Sequence, residues 1–198
     1  MRSIFVIGDS VSIHYGTYLK ELSKGKFKYD RKKGDEALID LDKPLGANAG
    51  DSTMVLEYLK SEKENGTRHD ILLINCGLHD IRRDRMSQKI QTDIDDYEEN
   101  LRQIIDIAKV IGNEVIWVMS TPVVDEIHNK RIDGFLRYNL DLEEYNTVAK
   151  KVMEEKNIKI IDLNRYTKAL GTEIYCDHVH FKSEIRMLQA NFIINSLN

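Results

Sequence analysis

The chain has 198 residues, of which 41% are hydrophobic, and its 29 lysines and arginines nearly balance 33 aspartates and glutamates for a formal net charge of −4. No segment concentrates basic residues into the stripe that nucleic acid requires, which argues against a nucleic-acid partner. The length and composition suffice for one hydrophobic core, so we expect a single domain over residues 1–198.

The N-terminal apolar run is four residues long and ends at Gly8-Asp9, far short of a signal sequence or a membrane span. We therefore expect a cytoplasmic protein with no membrane span. Cys76 and Cys176 are too few for a disulfide framework and lack zinc-type spacing, so we expect reduced thiols.

Short apolar runs alternate with longer amphipathic segments, as in an α/β protein whose parallel sheet is covered on both faces. Strands are predicted at residues 3–7, 71–75, 114–119 and 158–161. Helical spacing of apolar residues predicts helices around residues 55–59, 101–108 and 145–152. A last helix should begin near Lys182. The side chains expected to face the core are those of Ile185, Leu188, Phe192 and Ile193.

Two segments lack clear periodicity. Residues 24–43 are charged, and the sequence there predicts either a loop or an irregular second strand near residues 45–48. Residues 121–141 form a second long connection, and connections of this length in compact α/β domains are often lids or binding loops.

Four polar clusters follow the predicted strands. They are Gly8-Asp9-Ser10, Asn48-Ala49-Gly50-Asp51-Ser52, Gly77-Leu78-His79-Asp80 and Asp177-His178-Val179-His180. Because ligands of open parallel sheets bind beyond the carboxyl ends of the strands, we expect all four clusters at one rim.

These clusters contain a candidate nucleophile and a candidate base. Ser10 would begin a helix, where free N–H groups favour developing negative charge. A serine hydroxyl needs an adjacent histidine that a carboxylate orients, and Asp177 and His180 are three residues apart. The catalytic prediction is therefore Ser10, Asp177 and His180, with an oxyanion hole made by the N–H groups of Ser10 and Gly50 and by the side chain of His79.

Other residues have competing interpretations. His14, four residues after Ser10, is an alternative base, although a partly exposed helix residue is the simpler interpretation. Asp9, His178 and Arg131 are candidate substrate contacts. Asp9 is equally suited to cap the helix, and His178 to face solvent.

The clusters resemble, in order and over nearly the whole chain, blocks one, two, three and five of the SGNH (GDSL-like) hydrolase family. The resemblance implies a flavodoxin-like, three-layer α/β/α sandwich with a five-stranded parallel sheet. It also implies ester hydrolysis through an acyl-enzyme, with no metal or organic cofactor. The third block departs from the family pattern, because His79 stands where the family has an asparagine whose amide completes the oxyanion hole.

The preferred interpretation is a serine esterase acting on small acyl esters, with acetylated carbohydrate as the preferred substrate. A metal-dependent phosphoesterase is a rival, because the rim offers several aspartates and histidines. A binding protein that retains the scaffold but has little turnover is another. Acyl transfer to a sugar hydroxyl would use the same residues as hydrolysis. Acyl length, the alcohol part of the substrate and the oligomeric state stay open.

Overall fold

A five-stranded, all-parallel sheet forms the centre of the computed structural model, which describes residues 1–197 except for the side chains of residues 37 and 38. The strand order is β2-β1-β3-β4-β5. The strands are β1 Ser3–Ile7, β2 Lys28–Arg31, β3 His69–Ile74, β4 Gly112–Val118 and β5 Lys159–Ile161. The predicted α/β fold with helices on both sides of a parallel sheet is confirmed.

Within residues 1–197, seven α-helices connect and cover the strands. They are α1 Ser10–Ser23, α2 Ser52–Glu64, α3 Ile94–Ile111, α4 Asp125–Arg131, α5 Asn139–Glu155, α6 Leu163–Lys168 and α7 Ser183–Asn195. Helix α7 packs against α1 and α6, whereas α3 packs against α2 and α5, so the helices form two groups. None of the helices in residues 1–197 is both long and apolar enough to cross a membrane.

The core lies along the two central strands. Leu73 and Ile74 in β3, and Ile116 and Trp117 in β4, are at most 1% exposed. Consecutive residues are buried because helices cover both faces of the sheet, which is why these strands appear in the sequence as continuous apolar runs. Their predicted positions agree with the structure to within two residues.

The second strand was predicted in the wrong place. Strand β2 pairs with β1 in parallel and lies at Lys28–Arg31, inside the stretch expected to be a loop, and residues 45–48 contain a turn. The sequence Lys-Tyr-Asp-Arg carries no apolar run because β2 is an edge strand with no buried residue. Hydrophobic periodicity therefore has nothing to detect there.

Two further expectations need correction. Leu188 in α7 is 36% exposed, and the inward face of this helix is formed by Ile185, Gln189 and Ile193 at intervals of four residues. The connection 121–141 is not an irregular loop throughout, because it contains the short helix α4 and already includes the start of α5 at Asn139.

Candidate active site

The turn from β1 into α1 presents Ser10 as the first residue of the helix. Asp9 caps α1, because its Oδ1 accepts hydrogen bonds from the N–H groups of Val11 at 3.0 Å and Ser12 at 3.4 Å. The Asp9 side chain is buried beneath the helix, with the residue only 2% exposed. This burial favours the capping interpretation of Asp9 over contact with a substrate.

The three residues predicted to be catalytic lie in one hydrogen-bonded chain. Nε2 of His180 is 2.7 Å from Oγ of Ser10, and Nδ1 of the same ring is 2.8 Å from Oδ2 of Asp177. The other carboxylate oxygen, Oδ1, accepts the N–H groups of Val179 at 2.9 Å and His180 at 2.7 Å. A single turn therefore holds both the imidazole and the carboxylate that orients it.

The hydrogen bonds around Asp177 keep its carboxylate ionised. Burial would raise the pKa of Asp177, but the hydrogen bonds from the His180 ring and from two backbone amides lower this pKa far below its usual range. Asp177 is thus ionised at neutral pH and accepts a hydrogen bond from Nδ1–H of His180. In the neutral form of the ring, Nε2 then presents its lone pair to the Ser10 hydroxyl, as a general base requires.

His14 lies beside the hydrogen-bonded residues Ser10, His180 and Asp177, and its side chain is not hydrogen-bonded to theirs. Its ring meets the His180 ring edge-on, with centroids 4.8 Å apart. Burial and the charge of His180 lower the pKa of His14 to about 3, so His14 is neutral at physiological pH. Since Oγ of Ser10 is already hydrogen-bonded to His180, the structure favours His14 as a packing partner of the base.

The three predicted oxyanion donors are not equivalent. The N–H of Ser10, in the first turn of α1, has no acceptor within the part of the chain that the structure describes. The N–H of Gly50, a residue with φ of 76°, donates to Oδ1 of the buried Asn48 at 3.1 Å. His79 is 3% exposed, and burial together with the charges of Arg82, Arg137 and His180 holds its pKa well below the usual value. His79 is therefore a neutral imidazole with one N–H to donate.

Asp80 links the second and third clusters. Its Oδ1 accepts the N–H of Ser52, the first residue of α2, at 2.9 Å. Burial raises the pKa of Asp80 to about 6. Its contacts are those of a residue that fixes the loops around the site.

The connection 121–141 packs against the turn that carries His180. Nη1 of Arg131 donates to the backbone carbonyl of Asp177 at 2.9 Å, and the ring of His128 lies 5.0 Å from that of His178. His178 does not face solvent as the sequence suggested: it is 8% exposed, and its Nε2 is 3.0 Å from Oδ1 of Asp42. Ser10 and His180 are correspondingly covered, with exposures of 6% and 2%.

Arg137 belongs to the same region and was not singled out from the sequence. It is 2% exposed, its Nε donates to the carbonyl of Leu78 at 2.6 Å, and its backbone N–H and carbonyl both bind the side chain of Asn129. A lone arginine in a loop looks like surface charge in a sequence. The length of the connection that carries it was the only available signal.

The residues around Ser10 offer oxygen and nitrogen ligands, but no three His, Cys, Asp or Glu side chains of residues 1–197 converge in a way that could hold a metal ion. Both cysteines are free, Cys76 buried and Cys176 exposed.

Comparison with known proteins identifies relatives of the whole chain. The sequence model of the family described as GDSL-like Lipase/Acylhydrolase matches residues 4–193. No curated protein matches the chain.

Solved structures share the fold at low sequence identity. A lipase/acylhydrolase from Enterococcus faecalis has a TM-score of 0.73 at 18% identity and covers 100% of this chain and 95% of its own. The acetylxylan esterase Axe2 from Geobacillus stearothermophilus has a TM-score of 0.67 at 16% identity, with 100% and 94% covered. A lipolytic G-D-S-L family member from Veillonella parvula also has a TM-score of 0.67 at 16% identity, with 98% and 96% covered.

Proposed function

The chain belongs to the GDSL-like lipase/acylhydrolase family, a family of ester hydrolases, and we propose that it is a serine esterase with Ser10 as nucleophile, His180 as base and Asp177 as orienting carboxylate. The observation that carries the proposal is the 2.7 Å contact between Oγ of Ser10 and Nε2 of His180. This distance lies within the range that proton transfer from a nucleophile to its base requires.

The reaction follows from these contacts. Oγ of Ser10 attacks the ester carbonyl carbon while its proton moves to Nε2 of His180, and the carbonyl π electrons move onto the oxygen. When the tetrahedral intermediate collapses, the bond to the alcohol oxygen breaks and His180 returns the proton to the leaving alcohol. Water, activated by the same histidine, then attacks the acyl-enzyme and releases the acid.

Asp177 orients the His180 ring and stabilises the imidazolium that forms in each step. The N–H of Ser10 and the side chain of His79 donate to the oxyanion. The Gly50 N–H joins them only by exchanging Oδ1 of Asn48 for the substrate oxygen, because one N–H has a single proton to donate.

The proposed substrate is a small acyl ester, with an acetyl group on a carbohydrate as the preferred case. Two observations support it: Ser10 is 6% exposed beneath packed side chains, which favours a short acyl group, and one structural neighbour is an acetylxylan esterase. Arg131 lies against the backbone of Asp177 and is the proposed contact for the alcohol part. A sugar hydroxyl in place of water would give acyl transfer from the same acyl-enzyme.

Labelling with a serine-directed fluorophosphonate tests the nucleophile. We expect the wild type to gain one adduct, mapped by peptide mass spectrometry to Ser10, and the Ser10→Ala and His180→Ala variants to gain none. Ser12→Ala is the matched control, because the Ser12 hydroxyl is bound to the carbonyl of Asp9 at 2.6 Å and to Arg31 at 3.2 Å rather than to His180. An unlabelled wild type would instead favour a protein that binds without turnover.

A further inference from the structure

Arg137 is a buried cation without an ion-pair partner in the part of the chain that the structure describes. It is 2% exposed, yet its Nη1 has no hydrogen-bond acceptor. Burial of a charged group with an unused donor is costly unless another group binds that donor. The free Nη1 is therefore a candidate to bind something that the folded chain does not itself supply.

The position of Arg137 ties it to the predicted oxyanion hole. Its Nε binds the carbonyl of Leu78, the residue directly before His79. Burial raises the pKa of Asp9, the residue directly before Ser10, and the charge of Arg137 opposes that rise. Burial and the charge of Arg82 lower the pKa of His79, and the charge of Arg137 adds to this effect. Arg137 thus lies close to both sides of the site at which an ester carbonyl would be attacked.

The donors described so far for the oxyanion are the free N–H of Ser10 and one N–H of His79. The Gly50 N–H is already bound to Asn48, and the neutral His79 ring donates only one N–H. Removal of a single oxyanion donor costs about 10²–10³ in kcat in a characterised protease, so an additional donor would have a large effect on the rate.

Charged groups of both signs surround Arg137. Arg82 lies beside Arg137, since both guanidinium groups contact the ring of Phe135, at 4.1 and 4.7 Å. The carboxylates of Asp42 and Asp9 act on Arg137 in the opposite direction. The acids offset part of the positive charge of Arg82 and Arg137, so the site has no large excess of positive charge to attract a substrate with a fixed negative charge.

Burial, together with Arg82, lowers the pKa of Arg137 to about 9, which still leaves the side chain cationic at neutral pH. A charged donor makes stronger hydrogen bonds than a neutral one.

We propose that Arg137 is a further catalytic residue, whose Nη1–H donates a hydrogen bond to the oxyanion that forms when Ser10 attacks the ester. The inference rests on the proposed function. The proton stays on Arg137 throughout, while the proton of the serine hydroxyl moves to His180 and later to the leaving alcohol. The hydrogen bond weakens again when the carbonyl re-forms in the acyl-enzyme.

Kinetics of Arg137→Met test this role with p-nitrophenyl acetate as substrate. We expect kcat to fall about 10²–10³-fold and KM to change less than about threefold, because the interaction arises in the transition state. The affinity for methyl trifluoromethyl ketone, which adds to the serine as a charged tetrahedral adduct, should fall by the same factor as kcat/KM. Arg83→Met is the matched control, since Arg83 pairs with Asp141 at 2.7 Å, and should keep kcat within about twofold.

A purely structural role would lower the melting temperature without a parallel loss of ketone affinity, and that result would overturn the proposal. So would a kcat within about threefold of the wild type, or a loss confined to KM. If Arg137→Met does not fold, Arg137→Lys takes its place as the test variant. Lysine keeps the positive charge but lacks the planar guanidinium group, so kcat and ketone affinity should both fall about tenfold. Wild-type values for Arg137→Lys would overturn the proposal.

The wild type and Ser10→Ala separate this inference from the proposed function. Hydrolysis that does not depend on Ser10 would overturn both the proposed function and the proposed role of Arg137. Hydrolysis that depends on Ser10 but is unchanged by substitution of Arg137 would overturn only the proposed role of Arg137.

Discussion

Asp177 binds His180 twice: Oδ2 contacts Nδ1 of the ring at 2.8 Å, and Oδ1 accepts the backbone N–H of the same residue at 2.7 Å. The carboxylate therefore positions both the backbone and the ring of His180. This double contact explains how a turn of four residues can aim an imidazole at a serine 170 positions away along the chain.

Asp177→Asn should lower kcat for p-nitrophenyl acetate by about 10²–10⁴-fold with little change in melting temperature. The asparagine oxygen can still accept the backbone N–H groups, but its amide would donate to Nδ1 and leave the proton on Nε2, where it blocks general-base action. Asp162→Asn, at the N-cap of α6, is the control and should keep wild-type kcat. A kcat of Asp177→Asn within about threefold of the wild type would contradict the orienting role.

His79→Ala should lower kcat about 10²–10³-fold, and His79→Asn should restore most of that loss, because an amide can donate to the oxyanion in place of the imidazole. Steady-state kinetics of both variants measure this. Equal activity in His79→Ala and the wild type would remove His79 from the oxyanion hole.

The pH profile of His79→Asn offers a separate check. Burial and the charges of Arg82, Arg137 and His180 hold the pKa of His79 well below its usual value, so His79 stays neutral at neutral pH. The kcat/KM profiles of His79→Asn and the wild type should therefore have the same shape from about pH 5 to pH 9. A shifted acid limb in the variant would mean that His79 titrates in this range.

Asp80→Asn should stabilise the protein at pH 8. Burial raises the pKa of Asp80 from 3.8 to about 6, so the folded state binds this proton more tightly than the unfolded chain does. The ionised carboxylate therefore costs stability above about pH 6, on the order of 3 kcal/mol, and the cost disappears as the pH falls toward 4. Asparagine keeps an oxygen to accept the N–H of Ser52 and removes the charge.

Urea denaturation at pH 8 and pH 5 measures the gain, which should be smaller at pH 5. Asp84→Asn is the control: the exposed Asp84 carboxylate accepts hydrogen bonds from Ser87 and Met86 that lower its pKa, so no gain is expected at pH 8. A gain for Asp80→Asn that grows toward pH 5 would contradict the sign of this effect.

The central strands and the pair of Asp177 and His180 could be predicted because their signals are local. Both faces of β3 are buried, so its residues form an unbroken apolar run, and Asp177 and His180 belong to one turn. Strand β2 was misplaced because an edge strand with no buried residue has no such run. Leu188 was misassigned because the polar Gln189, bound to Oγ1 of Thr167 at 3.1 Å, occupies the buried position beside it.

The parts of the site that escaped prediction depend on contacts between distant segments. Whether the Gly50 N–H is already hydrogen-bonded depends on the orientation of the Asn48 side chain. Arg137 reaches Leu78, 59 positions earlier in the chain, only because the connection after β4 folds back over the end of β3. No composition or periodicity in a single sequence encodes such a contact.

Hydrolysis of p-nitrophenyl acetate and its longer-acyl homologues by the wild type and by Ser10→Ala, with a chelator present throughout, tests the central claim most directly. We expect the wild-type rate to survive the chelator and to fall as the acyl chain lengthens, and Ser10→Ala to lose at least about 10³-fold in kcat. Turnover that is indifferent to Ser10, or that the chelator abolishes, would contradict the claim that this protein is a serine esterase.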